Sequence, residues 1–330
     1  MLIILVKSIS IGYLGMSKKG FTLIELIFVV VIVAILSVAT FKALQTLLVR
    51  SYKAKETTRL SLESQVALNQ IGEFLSNRVP STVIGYDPDS GEFEYIGDLT
   101  SNKPILEWIG MADESMLNRG YSGFIDLKSS NRDENITFSP NSNGDNIEDT
   151  TQKKFGVSVN VYNQKILNLI FAGSFDRGRG DIVDYNNSFG WHGNDSLNSF
   201  DIDINSTGYI KITDNNQPKF IYEKYYLVDS AYAVARRADL EEINWNCGDL
   251  NWNEIDDNTL LLFYNYRPWK GETFCADSSG NLAGNVTVLM ENVARFRFEE
   301  IDFTIRVSLD INKSIKGSTP IHISKMKVIF

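Results

Sequence analysis

Between Phe21 and Phe41 the chain runs for 21 residues with a single charge, Glu25, and with no polar side chain from Leu26 to Leu36. As a helix this stretch is about 31 Å long, close to the hydrocarbon thickness of a bilayer. A helix lying on a soluble core keeps a polar stripe at 3.6-residue spacing, and this one has none. It therefore reads as a membrane span. Lys18 and Lys19 precede it, separated from Phe21 by Gly20 alone. Such a basic pair stays on the cytoplasmic side and sends the following chain across the membrane.

Glu25 is the anomaly in that span. A carboxylate one turn into a bilayer costs roughly 2.5–3.5 kcal/mol on insertion scales, and such residues are as a rule paired and functional. No Lys or Arg lies within a turn of it inside the span. Cleavage after Gly20 would supply the missing cation, as the ammonium freed on Phe21. The run Lys19-Gly20-Phe21-Thr22-Leu23-Ile24-Glu25 resembles the prepilin processing site of type IV pilins and type II secretion pseudopilins. That resemblance implies a prepilin peptidase that cuts after Gly20 and methylates Phe21, with Lys18 and Lys19 as the basic residues of the leader. It further implies that Glu25 pairs with the terminal amine of a neighbouring subunit. The expected partners are the peptidase, other pilin or pseudopilin subunits bound through the N-terminal helix, and the inner membrane.

The leader occupies residues 1–20. Its first part, Met1–Gly15, is apolar and holds one lysine. Either the leader carries a hydrophobic prefix or translation starts at Met16. The second is favoured, because so short a prefix cannot span a bilayer.

Charge is unevenly spread. Residues 1–60 hold eight Lys and Arg against two Glu, a net of +6, whereas residues 61–330 hold 24 basic and 39 acidic, a net of −15. An exported portion at −15 is a poor ligand for nucleic acid, since phosphate contacts need a basic stripe. With 43% hydrophobic and 12% aromatic residues it can still bury a core.

From Lys42 to Val79 there is no proline and one glycine, Gly72. Apolar residues recur at Leu44, Leu47 and Leu48, then at Leu60, Ala67, Ile71, Phe74 and Leu75, which predicts an amphipathic continuation of the helix over 42–79. Pro80 stops it. Beyond lie short runs with β character: Phe93–Ile96, Ile105–Ile109, Phe124–Leu127, Phe155–Tyr162, Ile166–Phe171, Phe200–Ile204, Tyr209–Thr213, Phe220–Val228, Thr259–Tyr266, Phe303–Ile311 and Met326–Phe330. Val157–Val161 and Phe200–Ile204 alternate apolar and polar residues, the mark of half-buried antiparallel strands. The expected fold is α+β, pilin-like: a long N-terminal helix, its first half (21–41) in the membrane, packed on an antiparallel β-sheet head over 80–330. That head is large enough for two lobes, with a boundary or insertion in the Asn/Asp/Ser-rich segment 129–151.

Two later stretches narrow the resemblance. Tyr225–Asp229 through Arg236-Arg237 is similar to a segment of PilW-like minor pilins. Leu289–Phe298 and Thr304–Leu309 resemble a C-terminal signature shared by those proteins and J-type pseudopilins. The function implied is a structural subunit that primes or caps a type IV pilus or a type II secretion pseudopilus. The alternatives are a filament-tip adhesin that binds a glycan and a signal-anchored periplasmic enzyme.

Cys247 and Cys275 are the only cysteines. On the exported side such a pair reads as a disulfide; two free thiols or a metal pair is the alternative. His192 and His322 stand in no metal or hydrolase spacing, and no nucleophile elbow or phosphate loop occurs, so the chain reads as a non-enzyme without a cofactor. Calcium is the one ion for which candidates exist. Asp87 and Asp89 carry part of a calcium-loop pattern, and Asp176, Asp181 and Asp184 cluster around two glycines; solvated turns are the favoured reading of both. Trp191, Trp245, Trp252 and Trp269 fall in Asn- and Gly-rich loops, where they either face a sugar or pin the loops to the core.

Overall fold

The computed structural model describes residue 20 and residues 22–131, 134–174, 184–240, 247, 250–275 and 284–330. They fall into two units, one ending at Lys55 and one spanning Glu56–Phe330.

In the first unit the chain is helical from Leu23 onward, the start of α1 (Leu23–Ser76), which runs unbroken through Lys42. Its most apolar 18-residue window has a mean hydropathy of 2.9, and none of it is buried against protein. Its hydroxyls are satisfied within the helix. Ser37 Oγ donates to the Val33 carbonyl and Thr40 Oγ1 to that of Leu36, each at 2.7 Å. That is the arrangement hydrocarbon demands of a polar side chain.

In the second unit α1 continues, and here it has a buried face: Glu56, Leu60, Ser64, Ala67, Leu68, Ile71, Gly72 and Leu75. The spacing of three and four residues puts all of them on one side of the helix. The remaining elements are β1 (Ile84–Asp87), β2 (Glu92–Tyr95), β3 (Ile105–Met111), α2 (Asp113–Leu117), β4 (Asp126–Asn131), β5 (Ile136–Phe138) and α3 (Gly144–Phe155). After them come β6 (Asn168–Phe171), β7 (Phe200–Ile204), β8 (Tyr209–Ile212), β9 (Tyr225–Arg236), β10 (Leu260–Tyr266), β11 (Asn285–Met290), β12 (Val293–Ile301), β13 (Thr304–Lys313) and β14 (Ile321–Ile329).

Two antiparallel sheets result. The larger runs β2-β1-β3-β9-β6-β7-β8-β5-β4, with β10 and β11 added beside the far half of β9. β9 is its spine: one edge pairs with β3, and the other is shared by β6 and β10. The smaller sheet is β12-β13-β14.

The helix face meets both sheets in one apolar cluster. Leu60, Leu68, Ile71 and Leu75 share it with Trp108 of β3 and with Phe296, Phe298, Val307 and Leu309 of the small sheet. Lysines of the small sheet lie across the helix. Lys313 Nζ reaches Glu56 at 2.8 Å, Lys325 Nζ the Ser61 carbonyl at 2.7 Å, and Lys327 Nζ Asn69 at 2.9 Å. Gly72 is small for this reason, since a Cβ there would stand 2.7 Å from Lys327 Cε.

One expectation needs correction. The run Phe155–Tyr162 forms no strand: Phe155 ends α3, and residues 156–161 belong to no ladder. Asn143 caps α3 by accepting the Asn146 N–H at 3.1 Å, and Gly156 ends it in the left-handed region at φ 64°. The side chains of α3 then occupy the backbone that follows. Gln152 Nε2 donates to the Val159 carbonyl at 2.8 Å, and Glu148 Oε1 accepts the Val161 N–H at 3.3 Å. Those groups are lost to any ladder, whatever the side-chain alternation suggests.

Candidate functional site

The N-terminal site is built by the start of α1. Gly20 is exposed, and a Cβ placed on it would meet nothing within 4 Å. Lys18, Lys19 and Phe21 lie outside the described residues. Thr22 and Glu25 form a reciprocal cap. Glu25 Oε2 accepts the Thr22 N–H at 3.1 Å and the Thr22 hydroxyl at 3.0 Å, while Thr22 Oγ1 accepts the Glu25 N–H at 3.4 Å. This is a capping box, Thr-x-x-Glu, and it satisfies donors that the first helical turn would otherwise leave open. Its sequence signal is Thr22-Leu23-Ile24-Glu25, an acid three residues after a threonine at the head of an apolar run. One carboxylate oxygen of Glu25 is thus engaged locally, and the site stays open to a cation.

Residues 15–41 match the family model of the prokaryotic N-terminal methylation motif. The chain carries a prepilin-type methylation motif. It spans the Gly20–Phe21 junction, the cap and the apolar run, and it implies processing by a prepilin peptidase. With the apolar helix behind it, the motif is that of a membrane-anchored or secreted pilin-like protein. No curated protein and no solved structure matches the chain.

Cys247 and Cys275 are joined as a disulfide and buried beside Phe263 and Phe274. Of the calcium candidates, Asp87 and Asp89 lie in the β1–β2 turn, where Asp87 Oδ1 accepts the Asp89 N–H at 3.1 Å. Asp184 caps a short helical turn through the Asn186 N–H at 3.5 Å. Asp176 and Asp181 lie outside the described residues. Among the described residues no group of three or more His, Cys, Asp or Glu is placed to hold a metal ion. Trp191 and Trp269 are buried, and Trp269 Nε1 donates to the Lys165 carbonyl at 2.9 Å, so both pin loops to the core. Arg237 lies over the ring of Trp252 at 5.5 Å; Trp245 is outside the described residues.

Two buried polar clusters in the second unit had no sequence signal, since their bonded members stand 40 to 159 positions apart. In one, Glu107 of β3 receives His192 Nε2 at 2.8 Å and the Tyr266 hydroxyl at 2.8 Å, with Tyr86 stacked on the imidazole at 3.6 Å between centroids. Burial, with the charges of Glu107 and Asp87, holds the Tyr86 hydroxyl above the ordinary phenol range.

In the other, Lys154 at the end of α3 meets three acids. Its Nζ lies 2.6 Å from Glu114 Oε2, 2.9 Å from Asp229 Oδ2 and 3.9 Å from Asp113 Oδ1. Burial alone would lower the Lys154 ammonium, but the charge of Asp229 and the bonds to Glu114 and Asp229 hold it above its usual value. Burial raises Asp229. It also raises Asp113, which, with the adjoining Glu114 carboxyl, is pushed up to about 6.

A pH dependence follows. The folded chain holds a proton on Asp113 up to about pH 6, whereas an unfolded Asp releases it near 3.8, so this group takes stability away as pH rises between those values. Asp113→Asn keeps a donor toward Glu114 and removes the titration. It is expected to melt above wild type at pH 7, with the difference closing as the pH falls through 6 toward 4. Thermal unfolding across that range checks it, and a difference independent of pH would contradict it.

Proposed function

We propose that this protein is a minor pilin or pseudopilin, a structural subunit that primes or caps a type IV pilus or a type II secretion pseudopilus. The methylation motif at residues 15–41, with Glu25 at the head of an apolar helix, carries the reading. In this view the precursor waits in the inner membrane with residues 80–330 in the periplasm. Cleavage between Gly20 and Phe21 creates an ammonium one residue before the Thr22 cap. In hydrocarbon neither that ammonium nor Glu25 is stable alone, and a neighbouring subunit at the right axial offset supplies the partner to each. Assembly thereby acquires a register. The head, with eleven strands in one sheet and three in another among the described residues, is bulky to repeat along a slender shaft; a tip or priming position suits it.

The decisive experiment is the mature N-terminus. Mass spectrometry of protein made with its peptidase is expected to give a chain that begins at methylated Phe21, and Gly20→Val is expected to keep the leader. A mature chain starting elsewhere defeats the proposal. Sheared filaments in which this subunit is the most abundant would defeat the tip assignment alone.

A further inference from the structure

We propose that Lys154 and Asp229 condense into a side-chain amide, an internal cross-link between α3 and β9, with Glu114 as the proton carrier. This is independent of the assembly reading.

Three observations combine at this pair. First, the Asp229 carboxyl is sealed: its side chain is 2% exposed on the spine of the larger sheet. Second, Lys154 Nζ already sits 2.9 Å from Asp229 Oδ2, while Oδ1 has no hydrogen-bond partner among the described residues. A buried carboxylate held only as an ion would need donors on both oxygens. Arg267 is close enough to be felt, but its terminal nitrogens bond to Asn265 and Glu272, and its buried Nε, like Asp229 Oδ1, has no partner among the described residues. Third, Glu114 Oε2 lies 2.6 Å from the same nitrogen, and its side chain is 46% exposed, so it can exchange protons with solvent.

Other described lysine–carboxylate contacts lack this combination. In Lys165–Asp201 the lysine is 56% exposed, and in Lys153–Asp149 both partners are open. Lys103 is buried, but its acids stand at 3.4 and 3.8 Å and one of them is 73% exposed. On one side of Lys154 the wall is aromatic. Phe155 lies under Nζ at 5.5 Å from the ring centre, and the Tyr121 hydroxyl, like Asp229 Oδ1, finds no partner among the described residues. Burial favours the neutral acid at Asp229, the form that the amine attacks.

The step balances without any co-reactant. The ammonium proton of Lys154 passes to the Asp229 carboxyl across their contact. The amine lone pair attacks Cγ of the neutral acid and forms the C–N bond. Glu114 takes a proton from the nitrogen and delivers it to the departing hydroxyl, the C–O bond breaks, and one water leaves. Fixed proximity replaces the activation that a free acid and amine would need, and the carboxylate performs general acid–base transfer. Glu114 and Lys154 both line a cleft of about 750 Å³, through which the water departs.

The test is the mass of the folded full-length protein in detergent and of its peptides after reduction and tryptic digestion. We expect a loss of one water, no cleavage after Lys154, and a branched peptide joining the segments around Lys154 and Asp229 that survives reduction. Separate linear peptides covering both residues, from protein that is folded by circular dichroism, overturn the cross-link. Glu114→Gln should fold with Lys154 and Asp229 unlinked; a linked Glu114→Gln protein overturns the role given to Glu114.

Discussion

Glu25→Ala is expected to remove this protein from filaments, while the precursor is still made, cut and held in the membrane. The loss comes from a stranded charge. When a subunit whose Phe21 ammonium needs a partner meets a neighbour without the carboxylate, the cation is left in hydrocarbon. Breaking a buried pair on one side costs about 3–5 kcal/mol, or roughly 10²–10⁴-fold in association. The same change should ease insertion of the monomer by removing an acid that costs roughly 2.5–3.5 kcal/mol in the bilayer. The variant would then accumulate in the membrane. A second explanation for any defect exists, because Glu25 also closes the cap with Thr22 through contacts of 3.0 and 3.1 Å. Glu25→Gln separates the two, since glutamine still serves at the third position of a capping box but carries no charge. If charge governs assembly, both variants are missing from sheared filaments in a fractionation assay. Normal incorporation of Glu25→Gln would show that the helix start, rather than the ion pair, matters.

How much of this could be read from the sequence depended on where backbone and side-chain partners lie. The span was legible because hydrocarbon imposes one rule on every residue from Leu26 to Leu36. β7 was legible because one of its faces is buried and the other is not, and the burial alternates along it. β3 is buried on both faces, so its run of apolar residues carried no period, and only its length suggested a strand. The segment 157–161 misled for the opposite reason. It alternates, but Glu148 and Gln152 of α3 hold its backbone, so a tertiary contact decided what the local pattern could not. α3 itself was hidden by composition, for its Asp, Asn and Thr residues are poor helix formers. Its capping residues, Asn143 and Gly156, were nonetheless visible. Nothing local could have announced the Lys154 cluster. The partners of that lysine come from α2 and from β9, and a buried ion group is defined only once the sheet has brought such distant residues together.

The Cys247–Cys275 bond carries the second large effect. The two cysteines stand 28 residues apart, both buried, and the loop they close contains β10. Closing a loop of that length stabilises a fold by about 3–4 kcal/mol on the chain-entropy model. Both positions belong to an apolar cluster with Phe263 and Phe274, so Cys247→Ala with Cys275→Ala tests the bond without burying a new hydroxyl. At roughly 2–4 °C per kcal/mol for a domain of this size, the double variant should melt on the order of 10 °C below wild type. The damage should also be local. β10 pairs with β9 on one edge and β11 on the other, and releasing both its flanks frees that ribbon first. Amide exchange is therefore expected to quicken most in β10 and β11. The helix face around Leu68 and Ile71 touches that ribbon through the cluster it shares with Leu260, Leu262 and Met290, but the small sheet also holds it through Phe296, Val307 and Leu309, so its protection should fall less. A double variant that melts with wild type, or that loses protection equally in both clusters, would mean that the bond merely decorates a ribbon already held by β9.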